Sequence, residues 1–271
     1  MTTTPAILYP RLLLTGAAGA LGRMLRPRLK AHCQTLRVSD ISELEAAKTG
    51  EEVMPALALQ DAQAVDKLLD GVDGVVHLGG VSIERPFDEI LPANIVGMYN
   101  LYEAARKNGT RRIVFASSNH VTGFYKQSET VSPTMPVRPD GYYGLSKAFG
   151  ENIARFYFDR YGIETVCLRI GSSIPEPKDR RMLATWLSYD DLERLVLASL
   201  SAPVVGFSVI YGMSDNLAVW WDNASAKHLG YQPKDTSAVF KNAIESRQLS
   251  LDLNDPAVIY QGGGFVKNAP I

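Results

Sequence analysis

The stretch "RLLLTGAAGALGRML" (residues 11–25) constrains the fold more than any other part of the chain. "RLLLTG" (11–16) reads as a short buried strand ending at a glycine, and "ALGRMLRPRLKAH" (20–32) as the helix that follows. Pro27 predicts a kink or an early end to that helix, because proline has no N–H to donate. Between strand and helix stand Gly16, Gly19 and Gly22, with Ala20 and Leu21 among them. Glycine allows a tight turn and lets the backbone approach a pyrophosphate, which the positive end of the helix attracts. These five residues are the candidate dinucleotide-binding turn.

Apolar runs and amphipathic stretches alternate from there. "TLRVSD" (35–40), "ALAL" (56–59), "GVVHLGG" (74–80), "RIVFASS" (112–118) and "ETVCLRIG" (164–171) read as strands. Helices are expected in "AQAVDKLLDG", capped by Asp61, in "ILPANIVGMYNLYEAARKNG", and over 142–162. Near-continuous apolar strands alternating with helices imply an α/β, Rossmann-type doubly wound parallel sheet, with ligands at the strand carboxyl ends. Residues 1–171 form the expected dinucleotide-binding core. Residues 172–271 form a small C-terminal, substrate-binding part of the same compact unit. That part holds the charged loop "PEPKDRRM", a helix "SYDDLERLVLASLSA" with a Ser188–Asp191 capping box, a strand "FSVIYG" and an irregular tail "QGGGFVKNAPI".

Asp40 ends the second strand, 18 positions after Gly22, where a carboxylate accepts hydrogen bonds from an adenosine ribose and repels a 2′-phosphate. NAD is therefore expected rather than NADP. Arg37 is expected to lie along the strand face. Twenty-eight basic residues balance 29 acidic ones with no basic run, which argues against a nucleic-acid partner. No apolar run approaches the ~20 residues needed to span a bilayer, and "MTTTPAILYP" lacks signal-peptide features. Cys33 and Cys167 have neither metal-ligand nor disulfide spacing. The expectation is a reduced, cytoplasmic protein with buried thiols and no metal.

"GYYGLSK" (141–147) carries the chemistry. Tyr143 and Lys147 are four apart and share a helix face, whereas Tyr142 points about a quarter-turn away. A phenol with a pKa of about 10 is a weak base unless positive charge stabilises the phenolate. A lysine ammonium and an oxidised nicotinamide ring both supply such charge. "FASSNH" offers Ser117 and Ser118, at a strand end, to steady the oxygen being deprotonated.

Taken together, "TGAAGALG", "HLGG", "NIVGMYNLYEAA", "FASSNHVTG" and "YGLSK" resemble, in order, the extended or epimerase-like branch of the short-chain dehydrogenase/reductase superfamily. The resemblance implies that Tyr143 is the base, that Lys147 lowers its pKa and binds the ribose, and that Ser118 is the third catalytic residue. It also places Leu78, Gly79, Gly80 and Leu59 at the cofactor. Asn94 matches an asparagine of that branch, with helix packing as its other reading. The branch usually has an adenine-contacting Asp where Ala58 stands here, so a Leu59 amide is the expected substitute.

Within the branch, "HLGGVSIERPF", "RIGSSIPEPKDRRMLATW", "WWDN", "LGYQPKD" and "QGGGFVKN" are most similar to the members that oxidise C1 of a hexuronic acid. This implies a small sugar acid as substrate, an aldarolactone as product, and a homo-oligomer. The loop after the "RIGSS" strand offers Arg180 or Arg181 to clamp a carboxylate, and the resemblance favours Arg181. Ser82, Asn119, His120 and Ser172 suit sugar hydroxyls. His120 is expected as a hydrogen-bond donor to substrate, since no carboxylate is placed in sequence to make it a base. His77 reads as a core residue, and Trp220 and Trp221 as core or subunit-contact residues rather than a sugar-stacking platform. The rival readings are a sugar-nucleotide epimerase or dehydratase, and a dinucleotide sensor without catalysis.

Overall fold

The computed structural model describes residues 6–247 and 250–268. The first five residues and the last three of the tail, both within stretches read above, lie outside it. Seven strands form one sheet: β1 (Tyr9–Thr15), β2 (Cys33–Ser39), β3 (Glu51–Val53), β4 (Gly74–His77), β5 (Arg112–Ser118), β6 (Glu164–Ile170) and β7 (Phe207–Gly212). All pair in parallel, in the order β3-β2-β1-β4-β5-β6-β7. The order reverses between β1 and β4, which opens a crevice at their carboxyl ends. The sheet is Rossmann-type and doubly wound. β7 lies beyond residue 171, so the C-terminal part contributes a strand as well as loops.

Each apolar run sorts its side chains by alternation. Leu12, Leu14, Val76, Val114 and Leu168 enter one core layer, while Leu13, Val75, Ile113 and Cys167 enter the other. The two-residue period is hidden in the sequence because both faces are covered. The helices among the described residues are α1 (Ala20–Leu29), α2 (Ala62–Leu69), α3 (Phe87–Ile90), α4 (Gly97–Asn108), α5 (Tyr142–Tyr161), α6 (Met182–Thr185), α7 (Tyr189–Ser201), α8 (Lys241–Arg247) and α9 (Pro256–Ile259). Leu25 and Leu29 of α1 and Leu192 and Leu195 of α7 seal the first layer. Val65 of α2, Leu101 of α4 and Tyr157 of α5 seal the second. Among the described residues, no helix is long and apolar enough to cross a membrane.

Several elements differ from expectation for local reasons. The third strand is not "ALAL" but Glu51–Val53, where Glu52 accepts from Arg37 Nε at 2.8 Å across the β2–β3 pair. An ion pair, rather than an apolar run, sets this edge strand. Pro27 falls in the last turn of α1, which tightens into a 3₁₀ turn at Lys30–His32. The expected 90–109 helix starts earlier, at Phe87, and passes through a π turn at Leu91–Val96 before α4. Half of the Ser188–Asp191 box forms: Ser188 Oγ accepts from Asp191 N at 2.9 Å. The Asp191 carboxylate instead accepts from the backbone N–H groups of Lys234 and Asp235, tying that later segment to α7.

Trp221 is a core residue, stacked on Tyr211 with 4.8 Å between ring centroids. Its indole N–H donates to Gln261 Oε1 at 2.9 Å, and the Gln261 amide donates to Lys126 and Glu129 carbonyls. The tail is thereby fastened over the loop that follows β5. Cys33 and Cys167 are buried free thiols.

Candidate active site

A cavity of about 860 Å³ runs along the carboxyl ends of β1, β4, β5 and β6. Its first half is the glycine turn. Gly16 has φ +69°, and a Cβ there would lie 2.6 Å from the Leu78 carbonyl carbon. A Cβ on Gly22 would lie 2.1 Å from the Gly16 oxygen. Neither position admits a side chain. The N-terminus of α1 has no side-chain cap and no acidic residue in its first turn, and Gly19, Ala20, Leu21 and Gly22 line the cavity. Free N–H groups at the positive end of a helix suit a pyrophosphate, so the residues present fit a dinucleotide.

Asp40 stands at the rim of this half. Its carboxylate accepts from Ala18 N and Ser42 N, both at 2.9 Å, which fixes an anion beside the turn. Arg37 is occupied elsewhere, by Glu52 and the carbonyls of Leu68 and Asp70. Leu57, Leu59 and Gln60 wall the same side, together with Leu78, Gly79 and Gly80. The Gly79 N–H donates to Thr15 Oγ1 at 3.2 Å, and that hydroxyl also meets His77 Nδ1 at 2.7 Å. His77 is buried in the core, where desolvation pushes its pKa down to about 3.

Asn94, with cofactor contact and helix packing as its two readings, is not among the residues that line the cavity. Its amide accepts from Val81 N at 2.8 Å and donates to Val81 O at 3.0 Å and Ser146 Oγ at 2.9 Å. It pins the loop after β4 to α5, and its polar atoms are consumed in doing so.

The second half brings Tyr143, Lys147 and Ser118 together. The Ser118 hydroxyl sits beside the Tyr143 phenol, where it favours the phenolate. Ser117 turns away and donates to Glu151 Oε1 at 2.6 Å, within a buried network that includes Arg169. Tyr142 packs edge-on against Phe87. Lys147 Nζ donates to Ala116 O at 2.8 Å and lies 5.7 Å from the Tyr143 ring centroid. Burial pushes Lys147 down to about 8 and Tyr143 up to about 12. In the protein by itself the phenol is thus not lowered as expected. Desolvation outweighs the help from Ser118, and Asp140 raises the phenol further.

Ser82, Asn119, His120, Ser172 and Arg181 line the same end. Arg181 donates through Nε to Gln261 O at 2.6 Å and through Nη1 to Ser172 Oγ at 3.4 Å. With the Asn119 amide oriented to satisfy both its atoms, Oδ1 accepts from Arg181 Nη2 at 2.8 Å and Nδ2 donates to Ile170 O at 3.1 Å. Among the described residues Arg181 makes no ion pair, and burial lowers its pKa. Arg180 points elsewhere, with Nη1 3.9 Å from Glu245.

His120 does have an orienting carboxylate, contrary to the sequence expectation: Nδ1 lies 2.7 Å from Asp140 Oδ2. Phe265, from the tail read as irregular, stacks on His120 with centroids 3.8 Å apart and tilts over Tyr143. Neither Asp140 nor Phe265 was legible as a site residue. The only signal was an aromatic following three glycines.

A doubly wound sheet with a glycine turn at its switch point and a Ser–Tyr–Lys group beside it defines the short-chain dehydrogenase/reductase class. The chain belongs to the NAD dependent epimerase/dehydratase family, whose family model matches residues 12–191. It is 55% identical over 269 residues to the uronate dehydrogenase of Pseudomonas syringae pv. tomato, covering 99% of this chain and 96% of that one. The uronate dehydrogenase of Agrobacterium fabrum is 52% identical over 258 residues, 95% of this chain and 97% of its own. A solved structure of a uronate dehydrogenase mutant from Agrobacterium tumefaciens, complexed with NAD, superposes with a TM-score of 0.94 at 51% identity, covering 97% of this chain and 99% of that one.

Proposed function

We infer that this protein oxidises the C1 hydroxyl of a hexuronic acid to an aldarolactone, with NAD as the oxidant. The observation that carries the reading is Arg181, which forms no ion pair among the described residues and lies in the same cavity end as the Ser118–Tyr143–Lys147 group. A guanidinium held by Gln261 O and Ser172 Oγ is pre-oriented for a substrate carboxylate. Relatives named uronate dehydrogenase at 52% and 55% identity support the same substrate class.

Bound at the glycine turn, with Asp40 toward its ribose, NAD supplies a hydride acceptor and a positive ring. The protein supplies the proton chemistry. Tyr143 Oη takes the C1 hydroxyl proton while the Ser118 hydroxyl holds that oxygen. Because burial opposes the phenolate, the Lys147 ammonium, anchored on Ala116 O, has to carry positive charge close to the tyrosine. Ser82, Asn119 and Ser172 are assigned to the sugar hydroxyls and carboxylate.

The homo-oligomer implied by the resemblance is supported by apolar side chains on the outer faces of α4 and α5. Tyr99, Leu145, Phe156 and Tyr161 are each about half exposed. Sedimentation of the purified chain as a monomer at micromolar concentration would exclude it.

The deciding experiment is NADH absorbance after mixing protein and NAD⁺ with glucuronate, galacturonate, glucose or galactose in turn. Turnover of the acids alone is expected, and free NADH should accumulate. Failure with both acids would remove the substrate assignment. Tyr143→Phe should abolish turnover and retain NAD binding; an active variant would remove the base.

A further inference from the structure

The carboxylate beneath His120 is buried at a cost. Asp140 is 3% exposed, and its second oxygen, Oδ1, has no hydrogen-bond partner among the described residues. Space for it is made by missing side chains. A Cβ at Gly123 would lie 1.9 Å from Oδ2, and one at Gly262 would lie 2.0 Å away. A Cβ at Gly144 would approach Oδ1 at 3.2 Å. The loop after β5, the tail and α5 each give up a side chain around one carboxylate. A hydrogen bond to a buried carboxylate is strong, and among the described residues the side chain that makes one with Asp140 is the imidazole, with the Arg181 charge also acting on it.

We propose that Asp140 is a positioning residue that fixes His120 as a hydrogen-bond acceptor toward substrate. An ionised carboxylate only accepts, so in the neutral ring the proton sits on Nδ1 and Nε2 keeps its lone pair. Phe265 on one face, and Tyr143 edge-on at 5.9 Å between centroids, hold the ring in place. Nε2 is the nitrogen left for the cavity that His120 lines. This inverts the donor role expected from sequence. Since the ring adjoins Tyr143, its donor is a sugar hydroxyl on the carbon next to the one oxidised. The inference rests on the sugar-acid reading for the identity of that hydroxyl.

The test has a spectroscopic arm and a kinetic arm. Nitrogen-15 spectra of the full chain with labelled histidine, at mildly alkaline pH, should show His120 protonated at Nδ1 and bare at Nε2. A His120→Gln variant identifies the resonance. In Asp140→Asn the amide can donate to Nδ1 as well as accept from it, so the Nδ1–H tautomer should no longer be fixed. Asp140→Asn should raise KM for glucuronate about tenfold with a smaller change in kcat, the mark of a lost binding contact. The 2-deoxy analogue should already be poor with the native enzyme and lose nothing further in the variant. A wild-type ring protonated at Nε2 would overturn the proposal even if Asp140→Asn fails to fold. Equal losses for glucuronate and its deoxy analogue would overturn it too. Because the spectrum needs no substrate, it decides the His120–Asp140 pair independently of the uronate reading.

Discussion

The carboxylate of Glu84 accepts hydrogen bonds from the backbone N–H groups of Tyr142, at 2.8 Å, and Tyr143, at 2.9 Å. A residue of the loop after β4 therefore caps the helix that carries the base. Gly141 makes this possible, since a Cβ there would lie 2.3 Å from Glu84 Oε2. Glu84→Ala should cost about 1 kcal/mol of stability, the usual worth of an N-cap. It should also lower kcat while NAD affinity holds, because the first turn of α5 sets the phenol. Denaturant unfolding and steady-state kinetics on the same preparation check both. Unchanged kcat would mean that the cap does not set the position of Tyr143.

Arg181→Gln should reduce kcat/KM for glucuronate by about 10- to 100-fold, the equivalent of one charged hydrogen bond, and leave NAD binding intact. Arg180→Gln, beside Glu245 and away from the cavity, should change it by less than about twofold. Parallel kinetics of the two variants separate the adjacent arginines. Equal losses would assign the effect to the loop as a whole.

Asp40→Ser should remove the anion beside the glycine turn and narrow the preference for NAD⁺ over NADP⁺. The change should fall mainly on KM for NADP⁺, since the carboxylate repels a 2′-phosphate. Initial rates with each cofactor at saturating uronate measure the ratio. An unaltered ratio would place the discrimination elsewhere on the rim.

Lys147 makes stability depend on pH. Burial lowers its pKa from 10.5 to about 8. Below about pH 8 both states are charged and the native state bears the whole cost of burying that charge. Between about 8 and 10.5 the unfolded state holds more protons, so stability rises with pH. Lys147→Met should therefore raise Tm at neutral pH, and its advantage should shrink across that window. A constant difference from neutral to alkaline pH would contradict the buried ammonium.

The sheet was largely legible where an apolar run has clear borders: β5 and β7 span the residues their patterns predict. β3 was not, because it is three residues long and positioned by Glu52 on Arg37. The Tyr143–Lys147 pair is a local helical spacing and could be seen directly. His120 with Asp140, 20 positions apart, and Glu84 with Tyr143, 59 apart, are created by the fold and carry no periodic signal. Phe265 belongs with these, since nothing before it in the chain announces that the tail returns to the site.

The π turn at Leu91–Val96 gives one continuous rod two helical phases. Ile90 is buried before it and Met98, Leu101 and Tyr102 after it, with Asn94 between them serving Val81 and Ser146. A π turn holds an extra residue, and each residue of an α-helix accounts for about 100° of rotation. Shortening the segment by one would leave a regular helix that satisfies the core or the loop after β4, never both. The chain therefore tolerates exchange of side chains here far better than a change of length, and a single-codon deletion should be the more damaging event.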